Sequence, residues 1–173
     1  DCLDLTRRVY RVEAHHLVVA PDRVLDGLTT TAVRELAAVI FGAEACGVAG
    51  WCVEAAAEYA KTREQFGRPI GQFQGVKHIC AEMLVALEQA RAVVWDAACR
   101  TGGAEVEDAE AGDAAAGTED AAHGRAYATA VAAVMAPDAA VCCARDCIQV
   151  HGGIGYTWEH DAHLYYRRAL TLR

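Results

Sequence analysis

The sequence predicts an all-α protein, an antiparallel four-helix bundle with a short β remnant at its N-terminus. Two observations carry that expectation. From Thr29 onward the larger apolar residues recur at spacings of three and four, the period of a helix with one buried face. Clusters of glycine, proline and polar residues near 67–71, 102–120 and 151–157 then cut this run into helical segments, most of them long.

Taken in order, residues 1–27 stand apart. LTRRVYRVEAHHLVVAP mixes β-branched and aromatic residues in rough alternation, punctuated by Pro21 and Gly27. One or two strands are expected here, too few for a stable sheet, as in the tail end of a β domain. Thr29, Thr30 or Thr31 is placed to cap the first helix, which runs through an Ala-rich segment to Gly67 and Pro69. The many small residues point to close helix approach. A second helix is expected from Gln72 to Arg100, with Val76, Ile79, Cys80, Met83, Leu87, Ala90 and Val94 on one face. The acidic stretch 102–120 has four glycines and no large apolar side chain, so it reads as a solvated connection. A third helix spans 121–150, with Pro137 expected to kink or restart it. HGGIGYT breaks the chain at 151–157, and a last helix starts at Glu159 and runs past Leu172.

Composition narrows the function classes. The chain has 173 residues, 54 % apolar and 23 % charged, enough for a real core. A net charge of −8 argues against nucleic acid as the main partner. No uninterrupted apolar run reaches the length of a membrane span. The eight cysteines form no Cys-x-x-Cys pair and mostly sit among Ala and Val, which suits a reducing, cytoplasmic setting. Serine is absent, so no Ser-His-Asp triad can be built from this chain. Because residue 1 is Asp rather than Met, the chain is expected to be a fragment of a longer protein.

Three stretches could carry chemistry. In KTREQFGRPIGQFQGVKH, residues 61–78, Arg63 ends one helix while the start of the next offers free N–H groups and a positive dipole end. That is either a phosphate cradle, with Phe66 against a planar ring and Gln74 on a ribose or base, or a helix hairpin with solvated arginines. In IQVHGGIGYTWEH, residues 148–160, Gln149 and His151 flank Gly152 and Gly153, which permit close backbone approach; a plain chain reversal explains the glycines equally well. In EHDAH, His160 and His163 have a spacing that can bind metal, but the partner Glu-x-x-His segment is missing and no metal is assigned.

YAKTREQFGRPIGQFQGVKHICAEM, followed further on by CIQVHGGIGYTWEHDAHLYYRRA, resembles the acyl-CoA dehydrogenases. The resemblance covers residues 28–173 as the family's C-terminal four-helix-bundle domain, with 1–27 resembling the end of its middle β domain. It implies FAD as cofactor, an acyl-CoA thioester as substrate and α,β-dehydrogenation as the reaction. It also implies dimers or tetramers, homo- or hetero-oligomeric, paired through the bundle. Arg63 is then implied to meet the diphosphate of a neighbour's FAD, with Phe66 packing on the cofactor and Gln74, Gln149, Gly152 and Gly153 meeting its ADP half. The family's base is a Glu at one of two places: one lies beyond Arg173, and the other falls on Ala37, which cannot take a proton. Glu35 and Glu44 are the nearest carboxylates. Glu35 is expected to be a helix-dipole partner or a substrate contact, and no catalytic residue is assigned. The alternative implied by the missing base is a non-catalytic assembly or scaffold subunit of a hetero-oligomeric acyl-CoA dehydrogenase.

Overall fold

The computed structural model describes residues 2–102 and 114–173. Four helices dominate: α1 (Thr30–Thr62), α2 (Gln74–Thr101), α3 (Ala114–His151) and α4 (Ala162–Leu172). α3 packs against all three others. Contacts between side chains fix the directions. Gly42 of α1 lies beside Val94 of α2 and Ala136 of α3. The Cys143 thiol of α3 donates to the Met83 carbonyl of α2, and Trp51 of α1 stacks on Tyr165 of α4 while Glu44 meets Arg168. α1 and α3 therefore run one way and α2 and α4 the other, the up-down-up-down bundle that short connections favour.

The core is thin. More than half of the buried apolar residues among those described are alanines, with Met83, Leu87, Val48, Val94, Val150 and the thiols of Cys52, Cys143 and Cys147 as the larger groups. Small side chains let helix axes approach, and Gly42 shows how far: a Cβ there would sit 2.8 Å from Val94 Cγ2. α1 and the stretch Glu119–Tyr156, which takes in most of α3, are long and apolar enough to cross a bilayer by length and composition, yet both supply core residues of this bundle.

Thr29 caps α1, its hydroxyl accepting from the Ala32 N–H at 3.1 Å. The helix stops at Thr62, ahead of the glycine and proline expected to end it. Arg63 turns extended, and its carbonyl accepts from the Ile70 N–H at 2.8 Å. Between them lies a hairpin of two short strands, β1 (Glu64–Gln65) and β2 (Arg68–Pro69), with Gln65 opposite Arg68. Phe66 and Gly67 at its tip both have positive φ, 55° and 75°, as the primed two-residue turns require.

Other expectations change as well. Residues 2–27 form no strand; apart from a single 3-10 turn at Pro21–Arg23 they are irregular, because a strand needs a partner ladder and no described segment supplies one. α3 begins at Ala114 rather than near 121, since the Ala-rich stretch 114–120 is as compatible with a helix as with a connection. The rest of the expected acidic connection, 103–113, lies outside the described residues. α3 also passes through Pro137 without restarting. The carbonyl left without its helical donor is that of Ala133, an exposed residue that water can serve.

Candidate functional site

The two segments singled out in the sequence meet at one end of the bundle. α1 ends there, α2 and α4 begin there, and α3 ends there at His151. The Tyr59 ring of α1 stacks on the His151 ring at 4.4 Å, joining the hairpin side to the glycine side.

On the hairpin side Arg63 is exposed and its side chain has no hydrogen bond or carboxylate partner among the described residues. Elsewhere in the protein most arginines are spent on acids: Arg91 on Glu88, Arg100 on Asp96, Arg125 on Glu35. α2 begins at Gln74 with no side-chain cap, so its first N–H groups have no side-chain acceptor among the described residues. Gln74 is exposed, and a Cβ at the next residue, Gly75, would meet nothing within 4 Å. Phe66, at the hairpin tip, is 92 % exposed. A bulky non-glycine residue with positive φ and almost no burial stores strain without packing gain, a combination expected where function holds it.

On the other side Gln149 is exposed on the last turn of α3. Gly152 has φ of 62°, and neither it nor Gly153 would place a Cβ within 4 Å of anything, so the backbone there is open to close approach by a ligand. Gly155 is different: a Cβ would meet the Ile148 carbonyl at 2.8 Å, which makes it a packing glycine. The six residues expected at a site thus sit on one end of the bundle, three in each segment.

Beneath them the buried His151 packs among half-buried rings. His151 Nδ1 donates to the Cys147 carbonyl at 2.8 Å, and its ring lies 4.2 Å from that of His160. Burial lowers the His151 pKa, but its bonds to Cys147 outweigh this and raise it. His160 Nδ1 accepts from the Ala162 N–H at 3.1 Å, which requires that nitrogen to be bare and explains why α4 starts at Ala162 rather than Glu159. Burial, together with the neighbouring His151, depresses the His160 pKa. His163 Nδ1 donates to the His160 carbonyl at 2.8 Å, so the Nδ1 atoms of both histidines in EHDAH serve the backbone. Of the thiols, Cys143 is pushed up to about 12, by burial first and by Cys142 next. The Cys52 thiol is raised by its hydrogen bond with Cys147 and by burial. Such thiols are poor nucleophiles.

Two carboxylates of α1, Glu35 and Glu44, are engaged by arginines. Glu35 lies beyond the first turn and accepts from Arg125 Nε of α3 at 3.0 Å, so it is an interhelical ion-pair partner and not a helix-dipole partner. Glu44 receives Arg168 Nε and Nη2 at 2.8 and 2.7 Å, and Arg7 as well. Its pKa is lowered, first by the Arg168 hydrogen bonds. Arg168 also donates to Asp4 at 3.1 Å. Asp4 is the one buried residue among the described positions before α1. Burial pushes the Asp4 pKa up, but hydrogen bonds from Thr6 and Arg168 prevail and lower it.

Residues 29–173 match the family described as acyl-CoA dehydrogenase, C-terminal domain. The chain belongs to the acyl-CoA dehydrogenase family. It is 50 % identical over 153 residues to acyl-CoA dehydrogenase FadE34 of Mycobacterium tuberculosis, covering 88 % of this chain and 19 % of that one. It is 38 % identical over 169 residues to acyl-CoA dehydrogenase IpdE2 of the same organism, covering 96 % and 43 %. The chain therefore spans less than half of either relative. Among solved structures, butyryl-CoA dehydrogenase from Megasphaera elsdenii superposes with a TM-score of 0.67 at 27 % identity, over 82 % of this chain and 32 % of that one. A steroid ACAD variant described as Tcur3481-Tcur3483 gives 0.68 at 26 %, over 82 % and 34 %. The acyl-CoA dehydrogenase fold of the C-terminal bundle is the one described above.

Proposed function

We propose that this chain is the C-terminal domain of an FAD-dependent acyl-CoA dehydrogenase and that it lends FAD-binding groups across a subunit interface. The carrying observation is Arg63: a guanidinium with no partner among the described residues, where α1 leads into the hairpin before the uncapped N-terminus of α2, on the bundle end that also bears Gln149, Gly152 and Gly153. A guanidinium and a row of free N–H groups suit a diphosphate. The exposed Phe66 ring suits a planar partner, Gln74 and Gln149 suit the polar groups of an ADP moiety, and the open glycines suit a backbone pressed against it. Arg63, Phe66, Gln74, Gln149 and Gly153 are all exposed, which fits a cofactor seated mainly on another polypeptide.

When bound, the flavin supplies a hydride acceptor for α,β-dehydrogenation of an acyl-CoA thioester. This chain's own share is to neutralise the diphosphate and fix the orientation of the cofactor. Residues 1–27 read as the end of a middle β domain, held to the bundle through Asp4 and Arg7. The setting is cytoplasmic, and the partner is a second subunit, identical or different, paired through the bundle as a dimer or tetramer.

A second reading is favoured by the carboxylates. Ala37 occupies one of the two places where the family's base occurs, and Glu35 and Glu44 are both engaged by arginines. A non-catalytic subunit that assembles and clamps flavin for an active partner accommodates this directly.

Arg63→Ala tests the central claim. A charge-assisted contact to phosphate contributes about 2 kcal/mol, so the assembled flavoprotein is expected to bind FAD about thirtyfold more weakly. Flavin content per protomer read from the visible spectrum, at unchanged oligomeric state, is the measurement. Unchanged content in the variant would leave a scaffold role without a flavin clamp.

A further inference from the structure

Phe66 cannot hold its own ring in place, and the hairpin supplies what does. With 92 % of its surface exposed, the side chain has little packing to select one rotamer. Fixing such a side chain on binding costs about 0.5–1.5 kcal/mol unless it is already oriented. Its one aromatic neighbour among the described residues is Phe73, whose ring lies edge-on at 87° and 6.1 Å. The Arg68 guanidinium covers the Phe73 ring at 4.3 Å. Arg68 reaches that position because the strand register sets it opposite Gln65, directly after the turn. Phe73 is anchored in turn: its N–H donates to the Ile70 carbonyl at 3.1 Å, and the Lys77 N–H donates to its carbonyl. Gly71 presses the intervening turn onto α1 so tightly that a Cβ would lie 2.8 Å from the Ala60 carbonyl. The Arg68 side chain has no carboxylate partner among the described residues, so nothing competes with the ring for it.

We propose that Arg68 and Phe73 are positioning residues: the guanidinium on the Phe73 ring, and that ring edge-on to Phe66, hold the tip aromatic ready for the planar face of the flavin nucleotide. The inference rests on the reading of the hairpin as an FAD clamp. Arg68 acts through its planar shape, since a guanidinium can lie flat on a ring whereas an ammonium cannot do so in the same way.

The test uses the complete flavoprotein, stripped of flavin and titrated with FAD at several salt concentrations. Phe73→Leu removes the ring but no charge. It is expected to weaken FAD about tenfold with the salt dependence unchanged, the size of a lost aromatic pair plus an unfixed rotamer. Phe73→Tyr, which restores the ring, is expected to recover wild-type affinity. Arg68→Lys keeps the charge and loses the flat stack; a loss of about threefold to tenfold is expected. Arg63→Ala serves as the reference, with a reduced salt slope. Wild-type affinity in both Phe73→Leu and Arg68→Lys while Arg63→Ala binds weakly would overturn the positioning role alone. If Arg63→Ala also bound FAD normally, the clamp reading itself would fail. A bundle melting temperature equal to wild type in each variant shows that the exposed hairpin, not the fold, was changed.

Discussion

Replacing Arg168 by Met is the most demanding test of how the N-terminal segment is held. In the native chain this guanidinium serves two carboxylates at once, Glu44 at 2.7 Å and Asp4 at 3.1 Å, and only 12 % of its side chain is exposed. Asp4 is 1 % exposed at its side chain, so removing the cation strands it with Thr6 alone. Breaking a buried pair from one side costs about 3–5 kcal/mol. Here the segment can lift away and rehydrate Asp4, but it then carries Arg7 with it and leaves Glu44 without either cation. We expect a loss of about 3 kcal/mol, or roughly 6–12 °C in melting temperature for a chain of this size. Limited proteolysis should cut within residues 2–29 far faster in the variant. Adding Glu44→Gln removes the stranded charge and should return part of the loss. Acid should act in the same direction. Asp4 and Glu44 both have folded pKa values below their ordinary 3.8 and 4.5, so their stabilisation is present above those values and is lost as pH falls through the folded ones. Denaturation within 0.5 kcal/mol of wild type, with unchanged protease sensitivity, would refute this account of the clasp.

Two further outcomes follow from the other end of the bundle. Asn suits positive φ at the first position of a primed turn better than Phe, so Phe66→Asn should stabilise the hairpin by about 0.5–1 kcal/mol while weakening FAD binding; opposite shifts in thermal melting and flavin titration are the signature. His160 is held neutral by the Ala162 N–H, and its folded pKa lies below the usual 6.5, so its contribution is complete above pH 6.5 and falls away as pH drops toward the folded value. His151, with a raised pKa, gives the reverse dependence, and His160→Gln should remove only the acid-side decline in the melting profile.

The helices were legible because their apolar spacing is also their packing. Met83, Leu87, Ala90 and Val94 were expected on one face of α2 and are buried there. The Thr29 cap was one of three candidates, and local chemistry alone could not choose among adjacent threonines. The hairpin was not legible. Strands of two residues have no alternation to read, and positive φ at a phenylalanine contradicts what its side chain prefers. Phe73 likewise looked like an ordinary residue before a helix; only the turn that swings Arg68 over it gives it a role. The alternation in residues 1–27 suggested strands, but no described segment offers the backbone ladder a strand needs. Glu35 and Glu44 were visible as acids, but pairing with Arg125 and Arg168 joins positions 90 and 124 residues apart, beyond any local pattern.

Antiparallel packing puts the exit of α2 and the entry of α3 at the pole remote from the hairpin. The exposed Cys99 in the last turn of α2 lies at that pole, nearly the full length of α2 from the hairpin. A fluorophore carried on that thiol leaves Arg63 and Gln149, at the opposite pole, untouched.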